Sequence, residues 1–179
     1  MTVAFSRAEE VIDYLSSLGA TASDEGGPFT ELDHGLQTAA VLERTNPGDE
    51  ELQVAGLLHD LAHPWDGPGQ PVHHHLGAEA VRPLYGDRIA RLIEGHVPAK
   101  RYLVSVDPSY RQALSSTSTS TLAAQGGDLT PDEVAAFAAD PDLDALLALR
   151  RADDQAKVPG AAVPGLEHWE PVLRRLAAR

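Results

Sequence analysis

The sequence predicts an all-α fold, and three observations carry that expectation. Apolar residues recur at helical spacing along the chain, no useful stretch alternates apolar and polar residues, and Pro- or Gly-containing breaks separate the periodic segments. At 179 residues the chain can bury a core of its own, and 42% hydrophobic with 23% charged residues is ordinary for one globular domain.

Residues 6–18 set Ala8, Val11, Ile12, Leu15 and Leu18 on one helical face, and ATASDEGGP ends that run. A second helix is expected over 30–44, with Leu32, Leu36, Ala39 and Ala40 buried and NPGD closing it. Asp49 or Glu50 starts the third, which buries Leu52, Ala55, Leu58 and Leu61 until Pro64 stops it. PWDGPGQPV then reads as a loop. Further helices are expected at 73–84, 86–97, 107–123, 131–138 and 142–156, and a last one at 166–178 after VPGAAVPG. No internal repeat interrupts the series.

Composition narrows the function. The chain has no cysteine, which excludes disulfides, thiolate nucleophiles and thiolate-held metals. A formal net charge of -13 argues against nucleic acid, whose phosphates need a basic face. The same charge repels small anions unless local cations or metals reverse the field inside a pocket. The first twenty residues carry acids within a helical pattern, unlike a signal peptide, and no stretch is apolar enough for a bilayer. The expected location is the cytoplasm, with neither membrane nor nucleic acid as a partner.

The histidines are grouped. His34 falls on the second helix, His59 and Asp60 end the third in LLHDLAH, His73 opens the next and His96 lies late in another, while Asp153 follows in LRRADDQAK. Nitrogen and oxygen ligands without sulfur suit iron, manganese or zinc. Adjacent helical residues point about 100° apart, so one metal rarely takes both His59 and Asp60. A carboxylate has two oxygens, however, and Asp60 can bridge two metals while His59 binds one. His59 and Asp60 follow the apolar run VAGLL, which directs them to the bottom of a pocket.

The segments ELDHGLQTA, GLLHDLAH, HHHLGAEAV, LIEGHVPAKRYLVS, LSSTSTSTLAAQGG and LRRADDQAKVPG together resemble the PhnZ-type HD-domain mixed-valent di-iron oxygenases. The likeness covers residues 30–170. It implies a single HD-domain helical bundle with a dinuclear metal site in its core. Within residues 1–179 it implies an N-terminal helix and gating loop (1–28), a metal-binding core (29–157) and a tail helix (158–179). It implies oxidative cleavage of the carbon–phosphorus bond of a small 1-hydroxyphosphonate, with an Fe(II)/Fe(III) pair as cofactor and dioxygen as co-substrate. The products are a carboxylic acid and inorganic phosphate.

Carried over residue by residue, the resemblance makes His34, His59, Asp60 and Asp153 ligands of one iron. Asp60 bridges to a second, which His73 and His96 complete. His73 is preferred over its neighbours because it stands four residues before Gly77, with His74 the fallback. His63, Lys100, Ser118, Thr121, Gln125 and Arg150 match substrate-holding positions, and His63 and Lys100 are the catalytic candidates.

Spacing supports several of these assignments. His59 and His63 are four apart and share a helical face, as do His96 and Lys100. Ser118, Thr121 and Gln125 fall at i, i+3 and i+7, which turns a linker-like run into one polar stripe of one helix. Serine and threonine are poor residues for a helix interior, so the stripe needs such a role. Arg150 lies three residues before Asp153 and is assigned to the anion. Arg151 is read as a cation at a helix C-terminus. Tyr102 and Trp169 are read as packing residues, and Trp65 as a cover over the metal helix.

One departure from the family pattern stands before His34. Relatives commonly carry a gating tyrosine and an amine-reading glutamate there; ungapped counting puts Asp24 and Gly27 at those positions, and Phe29 cannot ligate a metal. Either Asp24 or Glu25 deputises or the gate is absent, and a small or uncharged substituent on C1 is the expected substrate preference. The main rival reading is a divalent-metal phosphohydrolase acting on a nucleotide or another small phosphate monoester. A non-catalytic ligand sensor is the third. No oligomeric state follows from the sequence.

Overall fold

The structure, a computed structural model, describes residues 4–23, 29–67 and 71–178. Among them the regular elements are helical: α1 (Ala8–Leu18), α2 (Glu31–Thr45), α3 (Glu50–Leu58), α4 (His73–Val106), α5 (Pro108–Ala113), α6 (Ser116–Ala124), α7 (Pro131–Ala138), α8 (Leu143–Gln155) and α9 (Leu166–Ala177). An antiparallel bridge between Ala22 and Thr30 and a 3-10 turn at His63–Trp65 accompany them.

Helix starts are written in side chains. Thr30 caps α2 by accepting from Asp33 N while Asp33 Oδ2 accepts from Thr30 N, a reciprocal box that fixes where α2 begins. Asp49 caps α3 by accepting from Leu52 N. The tight link between them makes α2 and α3 an antiparallel pair, so the start of α2 and the end of α3 meet at one end of the bundle. Gly35 lets them approach closely: a Cβ there would lie 2.6 Å from the carbonyl oxygen of Leu57.

Helix α4 is a hairpin rather than a rod. Gly86 has φ 82° and ψ 179°, a conformation open to glycine. In one straight helix His73 and His96 would stand about 34 Å apart, yet their ring centroids are 5.4 Å apart. The chain doubles back at Gly86, and two arms, 73–85 and 87–106, return to the same end of the bundle.

The core joins α1, α2, α3, both arms of α4, α8 and α9. Trp169 and Leu173 of α9 are 1% and 0% exposed, so the C-terminal helix belongs to that core. No helix among the described residues is long and apolar enough to cross a membrane.

Three sequence expectations are corrected here. The third helix ends at Leu58, and His63 lies beyond a turn, so His59 and His63 do not share a helical face. The helix expected over 107–123 is two, α5 and α6, broken at Leu114 (φ -59°, ψ 142°) where Ser115 caps a new helix. The helix expected over 86–97 runs on to Val106 through Pro98.

Candidate metal centre

The six residues singled out as ligands come together. Asp60 stands at the centre, and its two oxygens face different partners. Oδ2 lies 3.4 Å from His34 Nε2 and 3.3 Å from His59 Nε2. Oδ1 lies 3.5 Å from His73 Nε2 and 3.4 Å from His96 Nε2. Asp153 joins the first group, with Oδ1 3.3 Å from His34 Nε2 and 4.0 Å from His59 Nε2.

These separations fit metal ions. Donors about 2.1 Å from a tetrahedral ion stand roughly 3.4 Å from each other. The ligand atoms of His34, His59 and Asp60 lie within 4.8 Å of one another, as do those of Asp60, His73 and His96.

The outer nitrogens settle the tautomers. Nδ1 of His34 lies 2.8 Å from the Ala156 carbonyl, that of His59 2.8 Å from the Gly56 carbonyl, and that of His96 2.7 Å from the Ile93 carbonyl. A carbonyl only accepts, so each Nδ1 carries a proton and each Nε2 is the nitrogen turned toward the centre. His73 Nδ1 pairs instead with Asp66 Oδ2 at 2.7 Å. His59 Nε2 and Asp60 Oδ1 are buried without a hydrogen-bond partner, the condition of atoms built to hold a cation.

The field is consistent with that. Burial would lower the His34 ring, but Asp153 and Asp60 outweigh it and raise it to about 10. Burial would raise Asp60 and Asp153, yet His59 facing Asp60 and Arg150 facing Asp153 hold both well below the usual carboxylate range. The donor set draws positive charge toward itself.

The three consecutive histidines separate. His73 faces Asp60, His75 pairs on the surface with Glu94 at 2.8 Å, and His74 lies between, lowered to about 4 by burial and by its histidine neighbours.

Beside the ligands lies a cation cluster. Lys100 Nζ, one turn past His96, is 3.1 Å from Thr121 Oγ1 and 3.5 Å from the Ser118 carbonyl. Lys157 Nζ and Arg150 Nη2 reach Ser118 Oγ at 3.3 and 3.4 Å. Burial and the Arg150 charge lower Lys100 to about 8. A cavity of about 80 Å³ runs from the ligands to Ser118, Thr121 and Gln125. Gln125 caps the C-terminus of α6 rather than lying within it, and its Oε1 is buried without a partner. The break at Leu114 starts α6 afresh and turns its polar stripe onto the cavity.

His63 also lines the cavity, its Nδ1 3.1 Å from Glu31 Oε1. Glu31, Ser23 and Asp66 were not singled out by sequence. Lys157 carried a signal, four residues after Asp153, and Asp66 none beyond its place in the Pro- and Gly-rich loop. Arg151 is exposed, and Trp65 and Tyr102 pack on Tyr14 and Phe137 at ring distances of 5.5 and 5.0 Å. Phe29 sits 6.1 Å from the His34 ring, edge-on. Asp24, Glu25 and Gly27, the positions weighed for the gate, lie outside the described residues.

Helices that deliver histidine and aspartate in this order define a class, and residues 32–141 match the HD domain family model. The chain belongs to the HD-domain family. The match stops before Asp153, which the geometry above brings to the same centre. Two curated relatives narrow the class. One is a hydroxymethylphosphonate dioxygenase of Gimesia maris, 36% identical over 172 residues, covering 91% of this chain and 84% of that one. The other is a [1-hydroxy-2-(trimethylamino)ethyl]phosphonate dioxygenase (glycine-betaine-forming) of Leisingera caerulea, 31% identical over 177 residues, covering 93% and 90%. Within the HD domains the chain is of the PhnZ oxygenase type.

Proposed function

We propose that this protein is a metal- and dioxygen-dependent oxygenase that cleaves the carbon–phosphorus bond of a small 1-hydroxyphosphonate, using an Fe(II)/Fe(III) pair. The observation that carries the reading is Asp60, one carboxylate whose two oxygens each face a pair of imidazoles. That arrangement suits two metals, and the cluster of Lys100, Arg150 and Lys157 beside it suits an oxyanion. Sulfur-free histidine–carboxylate ligation supports iron. Both relatives named above are dioxygenases of phosphonates.

On this reading His34, His59 and Asp153 would hold one metal and His73 and His96 the other, with Asp60 available to both. Once bound, the pair would supply positive charge for the 1-hydroxyl and phosphonate oxygens and a redox route by which the substrate's own electrons reach dioxygen. The protein's own groups do the rest. Lys100 neutralises the phosphonate from one side and Arg150 from the other, with Ser118, Thr121 and Gln125 supplying the shorter contacts. Glu31 fixes the His63 ring by accepting from Nδ1, which leaves Nε2 as the nitrogen suited to take the proton of the substrate's hydroxyl. The net reaction adds one oxygen atom to carbon and one to phosphorus, so one dioxygen balances a carboxylic acid and inorganic phosphate. The small cavity supports a small or uncharged substituent on C1, as in hydroxymethylphosphonate.

The test is phosphate release from hydroxymethylphosphonate by iron-loaded, partly reduced protein in air and under argon, with low-temperature EPR on the same samples. Release only in air, with an S = 1/2 signal that shifts on adding substrate, is the expected result. Hydrolysis of phosphate esters under argon, restored by manganese or cobalt, refutes it in favour of the hydrolase. A higher kcat/KM for a 2-trimethylammonio substrate refutes the preference for a small substituent.

A further inference from the structure

Arg150 is 3% exposed, an expensive place for a guanidinium, and its two edges serve different partners. The Nε–Nη2 edge meets Asp154, with Nε 3.2 Å from Oδ2 and Nη2 against Oδ1. Tyr110, arriving from α5, closes the pairing. Its hydroxyl accepts from Arg150 Nε at 2.9 Å and donates to Asp154 Oδ2 at 2.6 Å. Burial pushes that hydroxyl up, so it keeps the proton it donates. On the other edge, Nη1 donates to Asp153 Oδ2 at 2.6 Å, and Nη2 reaches Ser118 Oγ at 3.4 Å.

We propose that Tyr110 and Asp154 are positioning residues for phosphonate binding: they pin one edge of Arg150 so that the other is held between the ligand carboxylate Asp153 and the anion-facing Ser118. The proposal rests on the function proposed above and adds two residues to it. An arginine bound along its Nε edge cannot rotate about its last torsions without losing both bonds to Asp154. Asp153 turns Oδ1 to the metal site and only Oδ2 to Arg150, so Asp154 adds a second counter-charge that helps make a buried Arg150 tolerable. The break at Leu114 is what allows this, because α5 can carry Tyr110 toward α8 while α6 carries Ser118 toward the cavity. One continuous helix over both would fix the two directions together.

Tyr110→Phe keeps the ring and removes the bond, which makes it the decisive variant, and Asp154→Asn tests the carboxylate. Titration calorimetry on metal-loaded protein measures the Kd of inorganic phosphate and, without oxygen, of hydroxymethylphosphonate. Metal content and Tm are recorded alongside. Tyr110→Phe is expected to weaken both ligands about tenfold, the effect of one lost charge-assisted bond, with metal content and Tm unchanged. The same factor should appear in KM rather than kcat. Asp154→Asn should weaken them further, and Asp154→Glu should recover part of the loss. A Tyr110→Phe protein that binds both ligands as tightly as the wild type overturns the proposal, whatever its Tm. A wild type that binds neither ligand overturns the functional reading as well, so the two failures are distinguishable.

Discussion

Gly35→Ala tests whether the helix crossing sets the metal geometry. The added Cβ would lie 2.6 Å from the Leu57 carbonyl oxygen, a backbone atom that no rotamer change can move. An ordinary carbon–oxygen contact is about 3.3 Å, so α2 and α3 must separate by roughly 0.7 Å. His34 is the next residue on α2, and His59 follows the end of α3, with ring centroids 5.0 Å apart. Metal sites tolerate only about 0.2 Å of error in ligand distance. Overpacking costs about 1–3 kcal/mol, offset by about 1 kcal/mol from replacing a helical glycine. The net loss, at most about 2 kcal/mol, lowers Tm by up to roughly 4–8 °C in a chain of this size. The assay is differential scanning calorimetry with metal analysis on the same preparation. Gly48→Ala, where a Cβ meets nothing within 4 Å, is the control and should leave both readings unchanged. If Gly35→Ala melts with the wild type and keeps its full metal content, the close crossing does not govern the site, and the reasoning fails.

Four further outcomes are expected. Asp60→Asn removes a bridging charge between two metal positions, so metal content should fall to one ion or fewer per chain while the helical circular dichroism persists; two retained ions contradict the bridging role. Lys100→Met should raise KM for hydroxymethylphosphonate about 10–100-fold by deleting a charge-assisted contact, and in the wild type kcat/KM should fall as pH rises through about 8, where Lys100 loses its proton; a variant with unchanged KM refutes the anion contact. The formal charge of -13 repels a dianionic substrate, so kcat/KM should rise several-fold as the screening length shortens from about 30 Å at 10 mM salt to about 8 Å at 150 mM. A steady fall with salt shows instead that the local cations dominate approach.

The parts of the fold legible in the sequence were those set by periodicity and caps. Thr30, Asp49 and Gly86 mark real boundaries because each acts through its own backbone or side-chain chemistry, whereas Pro64 lies in the turn beyond Leu58, where the third helix has already ended. Leu114 gave no such sign: QALSSTS contains neither proline nor glycine, and the break rests on Ser115 capping a helix that tertiary packing turns aside. The reading of His59 and His63 as one face failed for a related reason. It assumed the helix continued through HDLAH, whereas the chain turns after Leu58 and brings His59 and Asp60 onto one centre. Ligand types and order were readable because metal chemistry restricts them. Glu31, Asp66 and Tyr110 were not, since a residue that orients another is defined only by who stands beside it.

The ligands are scattered along the chain, and this dictates when the site can exist. His34 Nδ1 bonds a carbonyl 122 residues later in sequence. The two hairpins, α2 with α3 and the arms of α4, close short loops and can form early. Each carries only a fragment, His34 with His59 and Asp60 on one, His73 with His96 on the other. Until α8 docks, Asp153 is missing and nothing holds His34 in its tautomer. On the proposed ligand set, metal capture would belong to the last stage of folding, and the ions would then clasp segments that the folded chain has already brought together.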